Sequence, residues 1–182
     1  MSQRLKRVLV VYSTVSGCTA TIARRIGVDL IAYGARPFVR SVEEVDRIAG
    51  AYDAVVFGSG VRMGKWHRDA RDWIQRNLDE LAHMPVALFS VGLRGVSSDG
   101  HVDSAAAQGD LERAMSAAGV THTVGSVVLP GWKRSEGFSA MEKIALRVYP
   151  LEDGDYRNWD MVDRWAAEVG PVLTGRDALR AR

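Results

Sequence analysis

The segment Val8-Leu9-Val10-Val11-Tyr12-Ser13-Thr14-Val15-Ser16-Gly17-Cys18-Thr19 carries no charge. It opens as a β-branched, continuously apolar run and then breaks into a turn rich in Ser, Thr and Gly. From Thr19 to about Ala32, residues Ile22, Ile26, Leu30 and Ile31 recur near helical spacing, and Gly34 stands where that helix would stop. A strand apolar on both faces followed at once by an amphipathic helix opens a βαβ unit in a covered parallel sheet.

The same alternation continues along the chain. A weaker strand pattern covers Pro37–Arg40, and a short helical segment is expected from Glu43 to Ile48. Ala54–Phe57 is the third strand, ending in glycines. The spacing of Ala70, Trp73, Ile74, Leu78 and Leu81 predicts a helix from about His67 to Leu81. Pro85–Val91 reads as the fourth strand, Ser104–Ala118 as a helix, Val124–Leu129 as the fifth strand and Trp159–Leu173 as the closing helix. Five such strands joined by helical crossovers predict an α/β fold with a doubly wound five-stranded parallel sheet, in the order 2-1-3-4-5. The chain reads as one domain spanning 1–182. An insertion over 129–159, of about thirty residues where a handful is usual, interrupts it after strand five. Within the insertion Phe138, Met141, Ala145 and Val148 follow a helical period between Trp132 and Tyr149, and Lys133, Arg134, Lys143 and Arg147 outnumber Glu136 and Glu142.

Composition narrows the function. The 182 residues hold 24 Lys and Arg against 22 Asp and Glu, a net charge of +2 with the signs interspersed, so no nucleic-acid partner is expected. One cysteine allows neither an internal disulfide nor a cysteine-cluster metal site. No apolar run reaches membrane-spanning length, and the basic start leads into an apolar stretch too short for a signal peptide. A cytoplasmic location is expected. The net-basic amphipathic stretch 132–149 adds a second expectation, a peripheral contact with the inner face of the cell membrane, set against simple packing on the protein's own core.

In open α/β sheets the ligand sits beyond the carboxyl ends of the strands, where the strand order reverses. Ser13, Thr14, Val15, Ser16, Gly17, Cys18 and Thr19 form the first such loop. Four hydroxyls, a glycine and a helix N-terminus suit the oxygens of a monophosphate, whereas a mere helix cap would use one hydroxyl. The P-loop signature is absent. After strand three come Gly58-Ser59-Gly60-Val61-Arg62-Met63-Gly64-Lys65-Trp66-His67. There Val61, Arg62, Met63 and Gly64 could follow a flat ligand, Arg62 or Lys65 could neutralise an anion, and Trp66 could stack on a ring or fill the core. After strand four, Gly92, Leu93, Arg94 and Gly95 could line a ring edge. Cys18 has no base partner in sequence and reads as loop filler. His67, His83, His101 and His122 lack metal-ligand spacing, and Glu152-Asp153-Gly154-Asp155 reads as an acidic turn, so no metal site is expected.

These motifs resemble the flavodoxin-like proteins, and within them the bacterial menaquinone-dependent protoporphyrinogen oxidases. The loop Tyr12–Thr19 is similar to the family's FMN phosphate loop. Tyr52–His67, with its Arg-x-Gly and aromatic-His pair, is similar to strand three and the loop after it. The insertion with Trp132 and the stretch Trp159–Val169 also resemble family features. The resemblance implies FMN as cofactor, with its phosphate on Ser13–Thr19 and its ring between the loops around Val61–Trp66 and Gly92–Gly95. The groove alone leaves room for a deazaflavin. It further implies an oxidoreductase of haem biosynthesis that moves electrons from a reduced small molecule, a porphyrinogen, to a quinone or protein acceptor. Two alternatives are an electron-transfer flavodoxin, against which a net charge of +2 weighs, and a flavin-free scaffold module. No catalytic acid or base is assigned.

Overall fold

A computed structural model describes residues 4–62, 65–93, 96, 119–120, 123–134 and 151–176. The chain enters through β1 (Lys6–Ser13), turns into α1 (Cys18–Leu30), closes with a 3-10 turn over Ile31–Tyr33 and returns as β2 (Ala35–Ser41). β3 (Ala54–Arg62) folds back on the short β4 (Lys65–Trp66), and α2 (Arg68–Arg76) and α3 (Leu78–Leu81) follow. β5 (Val86–Gly92) and β6 (Gly125–Pro130) complete the sheet. Beyond it lie the pair β7 (Trp132–Lys133) and β8 (Gly154–Asp155) and the closing helix α4 (Trp159–Thr174).

The sheet runs β2-β1-β3-β5-β6, all parallel, with β4 antiparallel on β3. Counting only the parallel strands, this is the order 2-1-3-4-5 that the alternation predicts. Val8, Leu9, Val10 and Val11 are wholly buried because each face of the sheet is covered. On one face Val8, Val10 and Tyr12 meet Ile22, Ile26 and Leu30 of α1 and Val162, Trp165 and Val169 of α4. On the other, Leu9, Val11, Phe57 and Leu88 meet Trp66, Trp73 and Ile74. Each large apolar side chain so buried contributes about 1.5–3 kcal/mol.

Two expected helices differ. Glu43–Ile48 is a turn rather than a helix, because side chains from α2 and from the junction after it take its backbone groups. Asn77 Oδ1 accepts from Ile48 N–H at 2.9 Å, Asn77 Nδ2 donates to the Asp46 carbonyl at 3.0 Å, and the Trp73 indole donates to the Val45 carbonyl. The same Asn77 leaves helical geometry (φ −116°, ψ 13°), so the stretch expected as one helix from His67 to Leu81 is two, α2 and α3. The expected helix 104–118 and the Phe138–Val148 stretch lie outside the described residues, as does most of the 132–149 segment considered for membrane contact. Among the described residues no helix is long and apolar enough to cross a membrane.

Candidate functional site

Parallel pairing brings the ends of β1, β3 and β5 level: Ser13 lies opposite Ser59, and Ser59 opposite Ser90. Residues paired across parallel strands share a face, so three serines form a row at the carboxyl edge. All three are buried. Buried hydroxyls need partners, and the dipeptide Trp66-His67 meets each of them. Trp66 Nε1 donates to Ser90 Oγ at 2.6 Å, His67 N–H donates to Ser59 Oγ at 3.3 Å, and His67 Nδ1 is 3.1 Å from Ser13 Oγ. The row fixes Trp66 and His67 at the end of the sheet.

Trp66, one of the expected ring-stacking residues, is only 2% exposed. Its indole packs against Phe57, with ring centres 5.4 Å apart, and fills the α2 side of the core. The structure therefore gives it the core role and not a ligand-facing one. Its contribution to the edge is indirect, through the position it gives His67.

The loop after β1 enters α1 through Gly17, whose φ of 86° is a left-handed conformation that suits glycine. Thr14 Oγ1 accepts from Gly17 N–H at 3.0 Å and closes the turn before the helix starts. No side chain caps α1, and its first turn holds no acidic residue. α4 contrasts with it: Asn158 Oδ1 accepts from Met161 N–H at 3.0 Å, and Asp160 lies in the first turn. The hydroxyls after β1 are thus not spent on capping α1, and the amide end of that helix keeps its partial positive charge for a ligand. Thr19 is buried in the first turn. Val15 is exposed at the rim, and Ser16 Oγ accepts from the Trp132 indole at 3.0 Å.

The segments at β7 and β8 return to this loop. Trp132 on β7 pairs with Asp155 on β8, and its ring lies over Gly17, 3.7 Å from where a β-carbon there would stand. The guanidinium of Arg134 lies 4.0 Å from the Trp132 ring centre and that of Arg157 4.7 Å. The Arg157 guanidinium makes two bonds to Asp155, 2.8 and 2.5 Å, and donates to Thr21 Oγ1 on α1 at 2.8 Å. Those bonds hold the Asp155 carboxyl below its usual range, against a smaller upward push from burial. The loop contains no cation of its own, and the chain supplies Arg134 and Arg157 beside it from more than a hundred residues away.

Val61 and Arg62 end β3, and Gly92 and Leu93 lie at the end of β5, with Gly92 and Val61 in contact range. These residues and the Ser13–Thr19 loop therefore share one sheet edge. Met63, Gly64, Arg94 and Gly95 lie outside the described residues. His67, Arg157 and the Ser59–Ser90 row were not among the expected ligand contacts. The aromatic-His pair after β3 was a signal for the first, whereas local sequence held none for Arg157. Burial is the main cause that lowers the His67 pKa, with the Arg62 charge second and Asp69 acting weakly in the opposite direction. Among the described residues no group of three or more His, Cys, Asp and Glu is arranged to hold a metal.

Comparison with known proteins places the chain in a family. Residues 9–149 match the flavodoxin domain model. The protoporphyrinogen IX dehydrogenase [quinone] of Escherichia coli K12 is 30% identical over 88 residues, which are 48% of this chain and 49% of that protein. The chain thus aligns with about half the length of the curated relatives it matches. Among solved structures, oxidised flavodoxin 2 from Bacillus cereus superposes with a TM-score of 0.51 at 20% identity, over 89% of this chain and 96% of that one. The Flv1 flavodiiron core from Synechocystis gives 0.60 at 14% identity, over 96% of this chain and 37% of that one. At such identities the solved structures speak for the fold alone, but the sequence match covers most of the chain: it belongs to the flavodoxin domain family.

Proposed function

We propose that this protein binds FMN at the carboxyl edge of β1, β3 and β5 and works as a flavin oxidoreductase. In this reading it takes reducing equivalents from a porphyrinogen-like donor and passes them to a quinone, as the name of its E. coli relative describes for that protein. The observation that carries the reading is the start of α1: a hydroxyl-rich loop, a left-handed Gly17 and a helix end that no side chain caps, at the crevice where β1 adjoins β3.

The residues present fit the cofactor. Ser13, Thr14, Ser16 and Thr19 supply hydroxyls, and the first amides of α1 supply N–H donors for a phosphate. Val61, Arg62, Gly92 and Leu93 would border the ring. Trp66 supports that border from beneath. When bound, FMN would supply the hydride and electron chemistry, and the protein's part is to hold it, shape access and set the local charge. Arg62, Arg134 and Arg157 make the rim cationic, which favours a phosphate and an anionic donor alike.

The test is to load the purified protein with FMN, record the flavin spectrum, and follow anaerobic oxidation of protoporphyrinogen with a soluble quinone. Saturable one-to-one loading and quinone-dependent turnover are expected. Full loading without turnover, but with reduction by a partner reductase, would favour the electron-carrier reading that the flavodoxin likeness also allows. No loading would remove both.

A further inference from the structure

Among the described residues, His67 is the titratable side chain that the serine row aims at the β1 loop. Its backbone is set by the bond to Ser59 and by Trp66, which is anchored on Ser90. Its Nδ1 meets the first hydroxyl of the loop, Ser13. The opposite edge of the ring enters the space that Gly60 leaves open: Cε1 and Nε2 come within 2.9 and 3.0 Å of where a Gly60 β-carbon would stand, and Thr19 Oγ1 is 3.5 Å from the same point. The imidazole therefore lies between the end of β3 and the first turn of α1.

We propose that His67 is a positioning residue for the phosphomonoester held by the Ser13–Thr19 loop, neutral when no anion is bound and taking up one proton when the dianion arrives. The proposal rests on the FMN reading above and adds the proton to it. Once charged, the ring donates from both nitrogens: Nδ1–H to Ser13 Oγ and Nε2–H into the space at Gly60 beside Thr19.

The charged groups around His67 agree with this. Burial first, and then Arg62 on β3, lower the pKa of the ring, while Asp69 in the first turn of α2 opposes them. From β1 it meets Ser13, and the residues set beside it, Thr19 of α1 and Trp66 of β4 anchored on Ser90 of β5, carry no charge. Cys18, the neighbour of Thr19, is kept in the thiol form mainly by burial. No carboxylate lies in the loop itself. An arriving dianion is therefore the change in local charge that favours the imidazolium.

The experiment is calorimetric titration of the full chain with FMN at pH 7.5, in phosphate-free buffers that differ in ionisation enthalpy. A phosphomonoester has its second pKa near about 6, so the ligand is already dianionic and any proton taken up belongs to the protein. Wild type should take up about half a proton or more, and its affinity should weaken by up to about tenfold per pH unit as pH rises through the bound-state pKa. His67→Gln keeps a hydrogen-bonding group that does not titrate. It should bind FMN with no such uptake and a flat pH profile. In wild type, the NMR midpoint of one of the four histidine rings should rise by at least about one unit when FMN is added. Equal uptake in both proteins, or an unmoved midpoint, overturns the role of His67 and leaves the FMN site standing. No saturable heat with FMN overturns the flavin reading and this inference together.

Discussion

Cys18 stands where a helix N-terminus favours a thiolate, yet its pKa is raised. Burial is the largest cause and outweighs the Trp132 backbone N–H and the charges of Arg157 and Arg134, which pull the other way. A raised pKa means less thiolate at any given pH, about tenfold less for each unit. In the native protein, a disulfide reagent at pH 7.5 should therefore react with Cys18 at least about tenfold more slowly than after denaturation. A native rate equal to the denatured one would show that the loop opens freely. At this scale the sequence is informative where chemistry is local. The hydroxyls from Ser13 to Thr19 and the glycine that turns them are adjacent, so their use can be argued from the string. Trp66 is different, because its sequence suits a ring stack and a core position equally. Only the register that sets Ser59 beside Ser90 decides between them.

Asn77 governs two elements at once. It is completely buried, yet it donates to the Asp46 and Trp73 carbonyls and accepts from Ile48 N–H. It both ends α2 and replaces the helical bonds that Glu43–Ile48 would otherwise make. Asn77→Ala leaves a buried amide N–H and two carbonyls without these partners, each worth about 1–3 kcal/mol when left unmet. With partial relaxation, the expected loss is about 2–4 kcal/mol, read as a lower denaturant midpoint at unchanged m-value. A loss below about 1 kcal/mol would mean that water replaces the side chain. Elements with a strong period, such as α1 and the buried strands, are legible because burial on both faces leaves its mark in consecutive residues. The 43–48 segment is not, since a short apolar pattern fits a turn as well as a helix and its bonds come from about thirty residues downstream.

Across the whole molecule, the sheet order was legible because apolar strands alternating with helices admit few connected topologies. The cationic rim was not legible, since Arg134 and Arg157 reach the β1 loop only after the pairing of β7 with β8 sets that pair against α1. The loop is thus completed by residues far from it in sequence, and a ligand held there should stabilise the fold as a unit. FMN at about 100 times its Kd should add about 2.7 kcal/mol to unfolding. For a chain of this size that raises Tm by about 5–10 °C. Two variants separate site from scaffold. Thr14→Ala removes the bond to Gly17 N–H, so it should lower the ligand-free Tm slightly and reduce the FMN-induced rise at the same FMN concentration. Asn77→Ala acts from the α2 face of the sheet and shares no partner with the loop, so its loss and the ligand's gain should add. It should lower Tm with and without FMN while the FMN-induced rise stays the same within about 0.5 kcal/mol. A rise that survives Thr14→Ala in full, or one that falls equally in both variants, would place the ligand elsewhere than the loop between β1 and α1.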